Sequence, residues 1–244
     1  MKKIIKTALC IVLAAQFTMC TSKDKQPTQE AESTAVETSA DSVKKIPQTD
    51  AKIVILLAHP DISKSHMNAT LAKAAATVKG VQVINIYDYP VTPDTYREVI
   101  KRAKGIVYEF PCYWMSAPHL MKQWTDEVFM TFTQEGLIAG KEFMVAVTTG
   151  SEEEAYQHDG RNLYTMEEYM RPYEGQANHS KMKWNKPFVV YGNHTDKAKA
   201  EADLQAGAER YKKVLEALVK KVSEDRSLQR RLGHEERRFT AQSV

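Results

Sequence analysis

The segment from Ala58 to Asn68, AHPDISKSHMN, gathers imidazole, hydroxyl and amide side chains directly after an apolar run and contains no glycine. Ser65 is placed to cap a helix, which leaves the amide hydrogens of His66, Met67 and Asn68 without intrahelical acceptors. With the positive end of the helix dipole behind them, those groups suit an anion such as a phosphate. Neither G-x-x-x-x-G-K-[ST] nor G-x-G-x-x-G occurs here, so the two common glycine-built phosphate loops are excluded. A serine-capped helix with no ligand is an equally good reading of these residues alone.

Three further runs carry chemistry. Pro111-Cys112-Tyr113-Trp114-Met115-Ser116-Ala117-Pro118 sets a Tyr-Trp-Met cluster between two prolines. It makes either an aromatic wall for a flat ligand or a plug in the core, and composition alone tilts toward the plug, because large aromatics are mostly structural. Thr148-Thr149-Gly150-Ser151 is a hydroxyl-rich turn suited to backbone donation. Glu152 to Leu163 form a long polar loop with Tyr156 and His158, and loops of that length inside compact domains are often functional.

Something must position these runs. Ile53 to Leu57 are apolar on both faces, as in a strand buried between two helical layers. Val81 to Tyr87, Gly105 to Phe110, Glu142 to Thr148 and Pro187 to Gly192 read as further strands. Amphipathic stretches over 68–78, 93–104, 118–130, 164–181 and 197–222 read as helices. The alternation predicts a doubly wound parallel sheet with ligands at the carboxyl ends of its strands. All four chemical runs fall at such ends. No internal repeat and no second domain is visible.

The 244 residues leave room for one such domain and appendages. Lys2, Lys3 and Lys6 precede an apolar stretch, Ala8 to Ala15, that is too short to span a bilayer, and Cys20 follows; this is the pattern of an export signal over 1–20. Residues 21–50 are too polar to bury a core and read as a disordered tether, and 223–244 as a polar basic tail. The net charge of +3 vanishes once residues 1–19, with three lysines and no acid, are removed. Nothing in the charge balance then points to nucleic acid. Cys10 is lost with the signal and Cys20 is processed, so Cys112 stands alone and no intramolecular disulfide is expected. The histidines show no H-E-x-x-H spacing and the cysteines no C-x-x-C, so no metal site is expected.

In order, the chain carries A-H-P with S-H-x-N, F-P-x-x-W with S-x-P, K-x-W-x-D-x-V-F, T-T-G, E-A-Y-Q and G-R-N-x-Y-T-x-E-E-x-x-R-P-Y-E. Over 52–222 it resembles the flavodoxin-like NAD(P)H:quinone oxidoreductases, on the branch that includes soluble ancillary subunits of glutathione-gated potassium efflux systems. The resemblance implies five parallel strands in the order 2-1-3-4-5 with helices on both faces. It implies His59, Ser65, His66, Met67 and Asn68 around a flavin phosphate and ribityl chain. Cys112, Tyr113, Trp114 and Met115 would lie along the isoalloxazine, with Thr148, Thr149, Gly150 and Ser151 on its other side and Tyr156 closing over it. Ser151 stands where the family usually has glycine.

The same resemblance implies FMN rather than FAD, NAD(P)H as co-substrate, a quinone as two-electron acceptor, and a homodimer. Tyr156 and His158 are the candidates for protonating or polarising the acceptor, although an exposed loop histidine is an equally good reading of His158. The apolar Leu120, Met121, Trp124 and Val128 suit either a dimer contact or the core. The N-terminus resembles a bacterial lipoprotein signal, with Cys20 lipid-modified and the domain held at the cell envelope. Because NAD(P)H is a cytoplasmic reductant, an exported flavin-binding or membrane-complex ancillary subunit without NAD(P)H-driven turnover remains the alternative.

Overall fold

A computed structural model describes residues 44–241, with side chains through residue 224. The predicted signal with Cys20, and the predicted tether as far as residue 43, lie outside the described residues. The fold is that of the unit Ser42–Val244.

β1 (Ile53–Leu57), β2 (Val81–Asn85), β3 (Gly105–Pro111) and β4 (Glu142–Thr148) lie in the order β2-β1-β3-β4, all parallel. β1, β3 and β4 are buried along their whole length, which is why their sequences are apolar on both faces. The fifth position, predicted as one strand over Pro187 to Gly192, holds two short pieces. β5 (Lys183–Trp184) pairs with the start of β4 and β6 (Phe188–Val190) with its end. The break has a local cause. Asn185 N still makes the ladder bond to Phe143 O at 2.8 Å, but Pro187, two residues on, has no N–H to donate to β4. With that interruption the predicted order 2-1-3-4-5 holds.

α1 (His66–Ala76) and α7 (Lys197–Ala241) cover one face of the sheet. The other is covered by α2 (Pro93–Arg102), α3 (His119–Trp124), α4 (Met130–Gln134), α5 (Met166–Tyr169) and α6 (Arg171–His179). Between α3 and α4 the chain widens into a π-turn, Thr125–Phe129. There the Thr125 hydroxyl donates back to Met121 O at 2.9 Å, a bond that competes with the helical ladder. Met121, Trp124 and Val128 are fully buried. Of the predicted stripe these three face the core, while Leu120 is half-buried and packs against it.

Two predicted boundaries move. Residues 44–50 belong to the domain: Ile46 is buried in the core, and Gln82 Nε2 donates to Pro47 O at 2.7 Å. One apolar side chain with a pocket to fill is enough to end a tether. At the other end, α7 runs on to Ala241 through the predicted tail, as a stretch rich in Arg and Glu with no proline can do.

An acid is buried at the carboxyl half of β3, under α1 and α7. Glu109 on β3 is wholly inaccessible; Tyr211 Oη donates to its Oε2 at 3.1 Å, and Oε1 has no partner among the described residues. Burial pushes its carboxyl up to about 8, the Tyr211 bond opposing only in part. At neutral pH Glu109 is therefore a protonated acid in the folded state and a carboxylate in the unfolded one. The folded state binds the extra proton, so stability is lost as pH rises from the ordinary carboxylate range toward 8. Glu109→Gln keeps the acceptor for Tyr211 and removes the titration. Its stability relative to wild type should rise by about 3 kcal/mol between pH 5 and pH 8. Urea unfolding at the two pH values reads this, and a constant difference between the two proteins would refute it.

Candidate active site

The site is built where β1, β3, β4 and β6 end. Ala58 N donates to Glu109 O at 2.8 Å, holding the chain on the sheet one residue beyond β1. Asp61 then caps a short 3-10 turn, Ile62–Lys64. Its carboxyl accepts from Ser63 N, Ser63 Oγ and Lys64, and these bonds, Ser63 first, hold it at about 2.

Ser65 caps α1 as expected, its Oγ accepting from Asn68 N at 3.2 Å. Asn68 does more than the sequence foretold. Its side-chain amide donates to Ser65 Oγ at 3.3 Å and to Thr148 Oγ1 at 2.9 Å, tying the first loop to the end of β4. Its Oδ1 is buried with no partner among the described residues. With Asn68 N taken by the cap, the His66 and Met67 amides remain as first-turn donors. The His66 ring turns to α7, Nε2 lying 2.5 Å from Glu201 Oε2 on the exposed surface.

His59 is fixed at both ring nitrogens. Nδ1 accepts from Asp61 N at 3.1 Å, so the ring proton sits on Nε2, 2.9 Å from Tyr113 Oη. Burial lowers its pKa, and contacts with Asp61 oppose this only in part. His59 is thus a neutral donor that carries no charge to an anion at neutral pH.

After β3 comes a tight turn. Tyr113 N donates to Ser116 O at 2.8 Å and Ser116 N returns to Tyr113 O at 3.1 Å. The two central residues, Trp114 and Met115, have φ of 46° and 65°, a conformation that costs any bulky L-residue free energy. Trp114 is 96% exposed. The plug reading is therefore overturned: the fold spends backbone strain to hold an indole outside the core. Cys112, half-buried below it, donates its N–H to Thr148 O at 2.8 Å. Burial pushes its thiol up to about 11, so it stays protonated and unreactive.

The Thr148-Thr149-Gly150-Ser151 turn packs against the end of β6. Thr149 N donates to Val190 O at 3.0 Å, and the Thr149 hydroxyl to Ser151 O at 2.7 Å. The backbones approach so closely that a Cβ at Gly192 would lie 2.6 Å from Thr149 O, and one at Gly150 would meet the His194 ring at 3.1 Å. The Ser151 hydroxyl accepts from Arg161 of the following loop.

That loop is folded rather than loose. Its 3-10 turn, Glu153–Tyr156, is closed by Asn162 N donating to Ala155 O at 3.0 Å. Tyr156 is 5% exposed, its ring beside Tyr169 at 6.2 Å and Tyr191 at 5.9 Å. The two residues predicted to act together are held differently. Tyr156 is drawn in toward Cys112, Thr149 and Ser151, whereas the His158 side chain is 71% exposed and contacts Glu168 at 2.8 Å. Glu168 is also the N3 member of the capping box of α5, and the Thr165 backbone first, then His158, holds its carboxyl at about 2.

The predicted residues thus converge from three loops, with His158 turned outward. Arg161, Tyr191 and His194 were not anticipated. Arg161 lay inside the quoted G-R-N run, and the rule that ligands gather at strand ends marks the residues after β6 as well. Among the described residues no three His, Cys, Asp or Glu side chains form a metal cluster, and no helix is long and apolar enough to cross a membrane.

Parallel strands covered by helices on both faces define a doubly wound α/β domain. The chain belongs to the flavodoxin-like fold family known as Flavodoxin_2, whose model matches residues 51–215. The glutathione-regulated potassium-efflux system ancillary protein KefG of Enterobacter sp. (strain 638) is 34% identical over 149 residues, 58% of this chain and 81% of the relative. Among solved structures, general stress protein 14 from Treponema denticola in complex with FMN is 28% identical, with a TM-score of 0.63 over 68% of this chain and 99% of that one. An NADPH-quinone reductase from P. pentosaceus is also 28% identical, with a TM-score of 0.57 over 66% of this chain and 97% of that one.

Proposed function

We propose that this chain is an FMN-dependent NAD(P)H oxidoreductase of the quinone reductase type, tethered to the bacterial cell envelope through a lipid on Cys20. The observation that carries the flavin reading is the Ser65–Asn68–Thr148 junction. It joins two first-turn amides, a helix N-terminus and a buried, unpartnered Asn68 Oδ1 in one cradle. An orphaned buried acceptor is costly unless a donor reaches it. A ligand with an anionic end and a hydroxylated chain satisfies both halves of the cradle, and the phosphate and ribityl chain of FMN have that chemistry. The match to an FMN complex supports the same choice.

In this reading Ser65, His66, Met67 and Asn68 hold the phosphate end and the polyol. His59 donates from Nε2 and, through Tyr113, braces the strained turn against which the ring lies. Thr148, Thr149, Gly150 and Ser151 approach the opposite ring edge, where the close packing of Gly150 and Gly192 lets backbone come near. Bound FMN would supply the two-electron exchange between a reduced nicotinamide and a quinone. The exposed Trp114 covers the open side. Tyr156 offers the proton that a reduced quinone needs, while His158, bound to Glu168, steadies the loop that carries it. The likeness to an efflux-system ancillary protein favours a second reading, an ancillary subunit of a membrane complex.

The test of the cradle is FMN titration of the Ser65→Ala, Asn68→Ala double variant by calorimetry. Loss of a cap and of the cross-link to Thr148 should weaken binding at least tenfold, a cap alone being worth about 1 kcal/mol. Unchanged affinity would remove these residues from the site. For the anchor, Cys20→Ser should release the protein from the membrane fraction; an intact mass showing cleavage elsewhere and no acyl group would refute it.

A further inference from the structure

We propose that the rim of this site is a membrane-docking surface: Tyr113, Trp114 and Met115 after β3, with Leu163 and Tyr164 ahead of α5, enter the interface of a lipid bilayer and bring the site to the phase in which an apolar quinone dissolves. The surface itself is read from geometry; only the purpose given to it rests on the quinone reductase reading. Of the seven large apolar side chains exposed among the described residues, these loops hold five, Trp114 the barest of them and Leu163 and Tyr164 still 59% and 56% exposed. The backbone is strained to hold them there. Trp114, Met115 and Leu163 have φ of 46°, 65° and 62°, in the left-handed region that glycine and asparagine occupy at least cost. An apolar side chain kept in that conformation and turned to water is unfavourable on both counts unless an apolar phase receives it.

Both loops are set firmly at one edge of the sheet. They leave neighbouring strands, β3 and β4, whose ends pair Pro111 with Thr148. The first is closed by the bridge between Tyr113 and Ser116 and by Tyr113 Oη on His59. The second is closed by Tyr169 Oη, which donates to Asn162 O at 2.9 Å, and by the Tyr164 ring beside Tyr169 at 5.9 Å. Lipid is the occupant that fits. Tyr and Trp, apolar bodies with a polar tip, suit the boundary between hydrocarbon and water. The chain also enters the domain at this edge: Lys44 lies 3.6 Å from Asp88 and 4.9 Å from the centre of the Tyr89 ring, just past the carboxyl end of β2. A lipid on Cys20, as proposed above, is therefore linked to the edge that bears the rim, and an anchor within reach lets weak docking suffice. A second copy fits less well, because a stable pair needs about 800 Å² from each partner, and five side chains on two turns, with only Trp114 almost wholly bare, fall short of it. Charge does not drive the contact. The second loop sets Glu152, Glu153, Glu154 and Asp159 against Arg161, so docking is apolar and insensitive to salt.

The intact lipoprotein in phosphatidylcholine vesicles with brominated acyl chains tests this, the Trp114 emission being the difference between wild type and Trp114→Phe. That emission should be quenched about twofold or more, equally at low and high salt. Leu163→Ser combined with Tyr164→Ser should weaken docking about tenfold and relieve the quenching. FMN affinity and the reduction of a water-soluble benzoquinone should stay as in wild type, while reduction of a long-tailed quinone dissolved in the vesicles falls about tenfold. Trp114 emission left unquenched overturns the proposal. So does quenching that vanishes at high salt, or a protein that elutes as a dimer until Leu163 and Tyr164 are replaced. If Cys20 carries no lipid, the anchor reading fails, and the same quenching of free protein in excess vesicles decides the rim. If wild type reduces neither quinone, the quinone reductase reading fails, and the quenching alone decides the docking surface.

Discussion

Tyr156→Phe should slow reoxidation of the reduced protein by a quinone about a hundredfold while leaving its reduction by a nicotinamide within about twofold, because a general acid acts only where a proton is delivered. The substitution removes one oxygen and keeps the ring that packs between Tyr169 and Tyr191. The loop is also held independently, by Asn162 N on Ala155 O and by Arg161 on Ser151. The loss should therefore fall on one half-reaction and not on folding or cofactor affinity. Stopped-flow traces of the two half-reactions separate these cases. Equal losses in both would mean that Tyr156 shapes the binding site, and no loss would make solvent the proton source.

The second large effect lies at the other end of the sheet and concerns stability. Glu142, at the start of β4, has a side chain only 2% exposed, and its Oε2 accepts from Lys221 Nζ of α7 at 2.7 Å and from Asn185 at 2.9 Å. Lys183 approaches Oε1 at 3.8 Å. Lys221→Ala leaves the buried carboxylate without its nearest cation, and breaking such a pair from one side is far costlier than replacing both partners. We expect a loss of about 3 kcal/mol, read from the urea midpoint at constant m. Flavin affinity should be unchanged, since the network lies at the amino end of β4 and the cradle at its carboxyl end. A loss under about 0.5 kcal/mol, as for a surface pair, would show that Lys183 and Asn185 suffice.

Much of this architecture was legible in the sequence because burial on both faces leaves a simple mark. Ile53 to Leu57 and Glu142 to Thr148 are strands that hardly any other structure would accommodate, and Ser65 announces its own helix. The broken fifth strand was not legible. It depends on Lys183 and Trp184 pairing with β4 ahead of Pro187, a two-residue strand too short to leave a periodic pattern. Composition likewise misjudged Trp114, because nothing in residue type reveals that two consecutive residues take positive φ and lift the indole out of the core. Tyr156 and His158 stand two residues apart in one loop and looked alike as acid candidates. They were separated only by long-range partners, Tyr169 and Tyr191 on one side and Glu168 on the other. Arg161 was hidden for the same reason: its meaning comes from Ser151, ten residues earlier and across the turn.

The central claim is that the cradle at Ser65, Asn68 and Thr148 holds a flavin that a nicotinamide can reduce. The most direct measurement is the absorption spectrum of the purified domain after reconstitution with FMN, followed anaerobically as NADH or NADPH is added. The account predicts a bound flavin spectrum that survives gel filtration, bleaches with either nicotinamide and returns when a quinone is added. A protein that emerges colourless after reconstitution with FMN, or with FAD, would contradict it.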